Sequence, residues 1–298
     1  MFRYIYRQRR RILVGTLAIL FATVVEYYEE GGMDAMISEP EWADILGLSL
    51  AILFFSVTIA TGISLYLLVF RRLRFLVEFI SFVILIFAIW PPIAHNFFNL
   101  EVGGWLIYRP SFIIPFIFLI LLYTPLLDAS PIRGSRNATR KFSSPKSAEE
   151  IWFELAPGKV PAEQHWDKLL REIEPADNDP VSYEAKYAHF RGLYQLTTIK
   201  YTATEPFTHF KYNFSGKVLP RYAGAQNGTF EVTIQPKEKG GCDVTLSLYQ
   251  KSLFIREAYN LWLDDNLGSQ ADLLYALHNQ KRDWSLEGSY RRRVLKQF

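Results

Sequence analysis

The sequence predicts a two-part protein: an α-helical bundle of four membrane spans over residues 1–127, then a soluble α+β domain over 142–298. In the second part a curved antiparallel sheet packs on a long C-terminal helix. Three observations predict this. Nine of the 33 Lys and Arg and nine of the 30 Asp and Glu fall in residues 1–127, in short clusters between apolar runs. Beyond residue 127 the charge density is that of a soluble domain. Finally, the hydrophobic period changes from continuous to two-residue alternation after about residue 180.

Residues 45–70, ILGLSLAILFFSVTIATGISLYLLVF, carry no charge and exceed the roughly 30 Å hydrocarbon core at about 1.5 Å per residue. Residues 75–98 and 107–127 are also long enough to span. Residues 12–28 complete the set, with Arg9, Arg10 and Arg11 able to snorkel at one end and Tyr27 and Tyr28 at headgroup level at the other. No small-x-small cleavage site follows this first segment, which reads as an anchor. Basic residues flank alternate ends: Arg3, Arg7, Arg9, Arg10 and Arg11, then RRLR at 71–74, then Arg133, Arg136, Arg140, Lys141 and Lys146. The intervening loops hold Arg109 alone, so retention of Lys and Arg on the cytoplasmic side predicts both termini inside a plasma (inner) membrane, multi-pass. Within the spans, Glu78 is expected to pair with Arg71 or Arg74, Pro91 and Pro92 to break or kink their helix, and Ser56, Ala60 and Ser64 to allow close packing.

Residues 128–141 read as a basic linker along an anionic leaflet, although NATRKF at its end has strand character. Ser147 with Glu150 three residues later forms a capping-box pattern that opens a helix with Ile151, Trp152 and Leu155 on one face. A second helix is expected over about 161–173 from the spacing of Trp166, Leu169, Leu170 and Ile173. Five runs follow, SYEAKYAHF, LYQLTTIKYTAT, FTHFKYNFSG, GTFEVTIQP and CDVTLSLYQ, separated by turn signals such as the NG at 227. They predict antiparallel strands with one apolar face. The segment 254–281, with Tyr259, Trp262, Leu263, Leu267, Leu274 and Leu277 at helical spacing and Gly268 as a kink, is expected to cover that face.

This order of elements resembles the START-like or Bet v 1-like helix-grip superfamily, the polyketide cyclase group called SRPBCC. The resemblance rests on SSPKSAEEIWFEL as the strand-to-helix opening, NGTFEVTIQPKEKGGCDVTLSLYQ as the late hairpin, and the terminal helix. It covers residues 140–298 and implies an apolar cavity between sheet and helix. The lining residues expected by strand and helix position are Trp152, Tyr201, Phe210, Tyr212, Phe214, Phe230, Val232, Val244, Leu246, Leu248, Tyr259 and Trp262.

The sequence shows no nucleophile elbow, phosphate loop or dinucleotide fingerprint, and its five histidines have no zinc-ligand spacing. No catalytic residue, metal or cofactor is expected. Cys242 is the only cysteine, which excludes an internal disulfide. A net charge of +3 is too dispersed for a nucleic-acid footprint. The function this predicts is the binding of a hydrophobic small molecule or lipid on the cytoplasmic face, with membrane lipids as partners. Two alternatives stand beside it. A cyclase- or aromatase-like enzyme would use Tyr201, Tyr212 or Tyr249 in the cavity, whereas a scaffold would have a filled cavity and dock a protein partner.

Overall fold

The computed structural model describes residues 1–29, 42–98, most of 113–128, 132–176, 179–189, 192–219 and 226–298. The chain divides into two compact units, Gln8–Ala129 and Met1–Arg7 with Ser130–Phe298.

In the first unit, helices α2 (Arg9–Glu29), α3 (Trp42–Val69) and α4 (Phe75–Phe98) are each long and apolar enough to cross a membrane. Helix α2 packs against both of the others. Three such helices are therefore present among the described residues; about half of the fourth expected span, 107–127, lies outside them, and residues 113–118 are helical. Helix α3 exposes Leu53, Phe54, Val57, Leu65 and Val69, which in water would make a large unburied apolar surface. Glu78 is buried and pairs with Arg11 of α2 at 2.9 Å, a partner additional to the Arg71 or Arg74 that the sequence suggests. Pro91 and Pro92 lie inside a helix that continues to Phe98, where the sequence suggested a break. In the small-residue stripe, Ser56 and Ser64 donate back to the Ile52 and Ala60 carbonyls one turn earlier.

The second unit is built on a seven-stranded antiparallel sheet of order β1-β7-β6-β5-β4-β3-β2. Its strands are β1 (Arg133–Ser144), β2 (Leu170–Ala176), β3 (Asp179–His189), β4 (Leu193–Glu205), β5 (His209–Leu219), β6 (Gln226–Pro236) and β7 (Cys242–Phe254). The residues read as a basic linker thus form most of β1. Arg133, Arg136, Arg140 and Lys141 are spread along a sheet edge, where charge discourages further strand pairing. Helix α5 (Ala148–Leu155) opens on the expected capping box, with both reciprocal bonds between Ser147 and Glu150. The helix expected over 161–173 does not form. The His165 Nδ1 accepts the Asp167 N–H at 3.1 Å and Asp167 Oδ1 accepts the Leu169 N–H at 2.9 Å. These side chains give the backbone local partners that compete with helix, and the chain enters β2 at Leu170.

After β7 come α6 (Ile255–Leu263), α7 (Asn266–His278) and α8 (Leu286–Leu295). The expected single helix is interrupted at Asp265, whose φ of 44° is left-handed. Gly268 has another role: a Cβ there would lie 2.4 Å from Asp265 Oδ2 and 2.6 Å from Arg7 Nη1. Its bare backbone leaves room for an ion-pair cluster. Helix α1 (Phe2–Arg7) belongs to this unit, not to the membrane helices as the sequence suggested. Arg7 bonds Asp272 through Nε at 2.8 Å and Nη2 at 3.1 Å, and Asp265 through Nη1 at 3.0 Å. Arg140 of β1 holds the same Asp265 at 2.7 Å, and the Arg3 guanidinium lies 3.7 Å over the Tyr275 ring. Arg3 and Arg7, read as basic residues preceding the first span, thereby engage carboxylates at the start of α7 and within it.

Candidate functional site

Alternation on the strands divides the inner face of the sheet into a filled half and a hollow half. In the filled half, Phe210, Val232, Ile234 and Val244 pack on Ile151, Trp152 and Leu155 of α5. Trp152 meets Phe210 edge-on at 5.2 Å between ring centroids. Toward the other end of the strands the cross-strand rows are Tyr201, Tyr212, Phe230 and Leu248, then Ile199, Phe214, Gly228 and Gln250. A cavity of about 310 Å³ lies over these rows, bordered by Leu274 of α7 and by Glu287, Tyr290 and Arg291 of α8. Gly228 lets the Phe214 ring lie against the backbone of β6, since a Cβ there would lie 2.7 Å from that ring and 2.2 Å from the Tyr249 carbonyl.

Of the residues expected to line a cavity, Tyr212, Phe214, Phe230, Leu246 and Leu248 do so. Trp152, Tyr201, Phe210, Val232 and Val244 are in the packed core, where Tyr201 donates its hydroxyl to the Pro157 carbonyl at 2.7 Å. Tyr259 and Trp262 are on α6, away from the lining, and Trp262 is exposed. The three tyrosines proposed for an enzyme are accordingly spread over three environments. Tyr201 is tied to backbone, Tyr249 is exposed, and Tyr212 alone faces the cavity. Burial raises the Tyr212 phenol well above its ordinary range, so at neutral pH it is a hydrogen-bond donor and not a base.

The polar end of the cavity comes from residues that the alternation pattern does not pick out. Arg291 bonds Asp167 through Nη1 and Glu287 through Nε at 2.9 Å, with its guanidinium 4.5 Å over the Trp166 ring. Burial raises the Glu287 carboxyl above its usual range, although Arg291 opposes this. His165 is held neutral by burial, which outweighs the nearby Asp167 charge. Gln195, Thr197 and Gln250 add uncharged polar groups. On β7 the inward positions run Cys242, Val244, Leu246, Leu248, Gln250: four apolar residues and then an amide. That departure from alternation was the available sequence signal for this end of the site.

A second constellation has the residue types of a hydrolase. Ser144 Oγ is 2.8 Å from His278 Nδ1, and His278 Nε2 is 3.2 Å from Glu154 Oε2. None of the three lines the cavity, and Ser144 Oγ also accepts the Lys146 N–H at 3.1 Å. Burial would raise the Glu154 carboxyl, but His278 and Lys146 bring it down to about 2. The trio ties β1, α5 and α7 together. Cys242 is a buried free thiol whose pKa burial raises, which disfavours the nucleophilic thiolate. Among the described residues, no group of three or more His, Cys, Asp or Glu side chains is placed to hold a metal ion.

No protein-family model and no curated protein matches the chain. Solved structures that it is similar to include the Mll3558 protein from Rhizobium loti, at 12% identity and a TM-score of 0.34, covering 47% of this chain and 99% of that one. A conserved protein from Geobacillus kaustophilus is 16% identical with a TM-score of 0.36, covering 55% and 96% of the two chains. Ara h 8.0201 is 12% identical with a TM-score of 0.32, covering 46% and 98%.

Proposed function

We propose that the chain is a membrane-tethered binding protein of the START-like, helix-grip kind, whose second unit holds a hydrophobic small molecule between the sheet and its C-terminal helices. The observation that carries this reading is the cavity of about 310 Å³ floored by Tyr212, Phe214, Phe230, Leu246 and Leu248. Its volume is at the lower end of the roughly 300–1,000 Å³ of ligand sites, and it joins an apolar aromatic floor to a polar end, so a ligand can be both buried and oriented. An open cavity speaks against a scaffold whose core is filled. Full-length protein taken from its own membranes should carry a small apolar molecule in native mass spectrometry. Phe230→Trp, which adds a ring into the cavity, should lower the occupancy at least about fivefold. An empty wild-type protein, or occupancy indifferent to Phe230→Trp, would remove the basis of the reading.

The tether is proposed from the three long apolar helices and the distribution of basic residues. Arg71, Arg72 and Arg74, and the basic residues before α2 and along β1, should lie on the cytoplasmic side, and Arg109 on the other. Alkaline phosphatase fused after Phe298 should be inactive, and fused within residues 30–40 active. The reverse pattern would place the cavity outside the cytoplasm.

A further inference from the structure

Resting on that reading, we infer that the cavity selects an uncharged molecule, smaller than a two-chain lipid, with an apolar body and one hydroxyl or amide-like group that hydrogen-bonds Gln250. Three observations lead there. The first is Gln250 itself: it is 7% exposed, lines the cavity, and its Oε1 has no hydrogen-bond partner in the protein. A buried amide oxygen left without a donor is costly, so a ligand that donates to it gains more than an ordinary hydrogen bond. Leu248 stands in the adjoining row and Phe214 across Gly228 in the same row, which sets an apolar surface beside this open acceptor.

The second observation is charge. Asp167 and Glu287 share the single guanidinium of Arg291, so the fixed charged groups at this end are two carboxylates to one cation. The arginine has its carboxylate partners already. A ligand carboxylate or phosphate would have to enter beside two acids with no uncommitted arginine or lysine among the described lining residues, and a buried unpaired anion is strongly disfavoured. The third is size. At about 30 Å³ per water in the liquid, about 310 Å³ holds the volume of roughly ten waters. That accommodates one or two fused rings or a short branched chain and is far less than the volume of a diacyl lipid.

Full-length protein in nanodiscs can be titrated with naphthalene, 2-naphthol and 2-naphthoate by equilibrium dialysis against empty discs. These probes share one apolar body and differ in the polar group. The neutral alcohol is expected to bind at least about tenfold more tightly than either of the others, roughly one good hydrogen bond to a buried partner. Gln250→Leu should abolish its advantage over naphthalene while leaving naphthalene binding intact or improved, which also shows that the variant is folded. Naphthoate binding as tightly as naphthol, or a naphthol advantage that survives Gln250→Leu, would overturn the inference and leave the binding function standing. If none of the three binds above empty discs, the binding function itself fails.

Discussion

Asp265→Asn should cost about 3–5 kcal/mol, because it removes one partner from a buried ionic cluster and leaves two arginines without it. Asp265 is 1% exposed and takes Arg140 at 2.7 Å and Arg7 at 3.0 Å. Burial alone would raise its carboxyl, but Arg140 and Arg7 hold it below the ordinary range. A depressed carboxylate contributes stability that is present above its unfolded pKa and lost as pH falls through the folded one. Wild type and variant should therefore differ fully at neutral pH and converge in acid. Asparagine is the informative replacement because the residue sits at a φ of 44°, a left-handed conformation that asparagine tolerates and alanine does not. Hydrogen exchange on the full chain at pH 7 should show lost protection in α7 and in residues Phe2–Arg7 together. A loss below about 1 kcal/mol, or a loss confined to α7, would mean that Arg7 does not depend on this carboxylate.

That cluster shows where the sequence was readable. Alternation in β3 to β7 and the Ser147–Glu150 capping box are local signals, each complete within a dozen residues, and they led directly to the strands and to α5. Arg7 and Asp272 are 265 positions apart, and nothing near either residue announces the other. Arg3 and Arg7 also satisfy the rule for basic residues before a membrane span, so composition gave them a sufficient role before their partners were known. Gly268 read as a kink because a helical glycine is usually judged by its own helix; its purpose is the space above it, which Arg7 fills.

The cavity was legible to a similar depth. Period-two alternation identified the inward side chains but could not say how far apart sheet and helices stand, so residues of the filled half, Phe210 and Val232, looked the same as residues of the hollow half, Phe214 and Phe230. The charged end was hidden for a different reason. Asp167 was assigned to a helix that its own side chain helps to prevent, and Arg291 and Glu287 belong to α8, which is short and polar and carries little hydrophobic period. Gln250 was visible within CDVTLSLYQ as the polar residue ending an apolar inward row, a departure from pattern of the kind that functional positions produce.

Arg291→Met tests that end of the cavity. Methionine replaces the aliphatic stem but ends short of the guanidinium that stacks on Trp166, and it leaves Asp167 and Glu287 as two carboxylates without their shared cation. The expected cost is about 3–5 kcal/mol at pH 8. Glu287 provides a release, since burial already raises its carboxyl. A raised carboxyl means that the folded state holds more protons than the unfolded one above the ordinary glutamate pKa. Stability from this group is present at lower pH and lost as pH rises through the interval between the two values. Removing Arg291 takes away the charge that opposed the rise, so the interval widens upward and the deficit of Arg291→Met should shrink from pH 8 to pH 5. Adding Glu287→Gln should recover a substantial part of the loss at pH 8 and flatten the remaining pH dependence, because one buried carboxylate then remains in place of two. Protection of α8 amides in the full chain measures all three effects. If the deficit is the same at pH 5 and pH 8, or if Glu287→Gln gives no recovery, the two carboxylates do not compete for Arg291, and the charge argument for a neutral ligand loses its support.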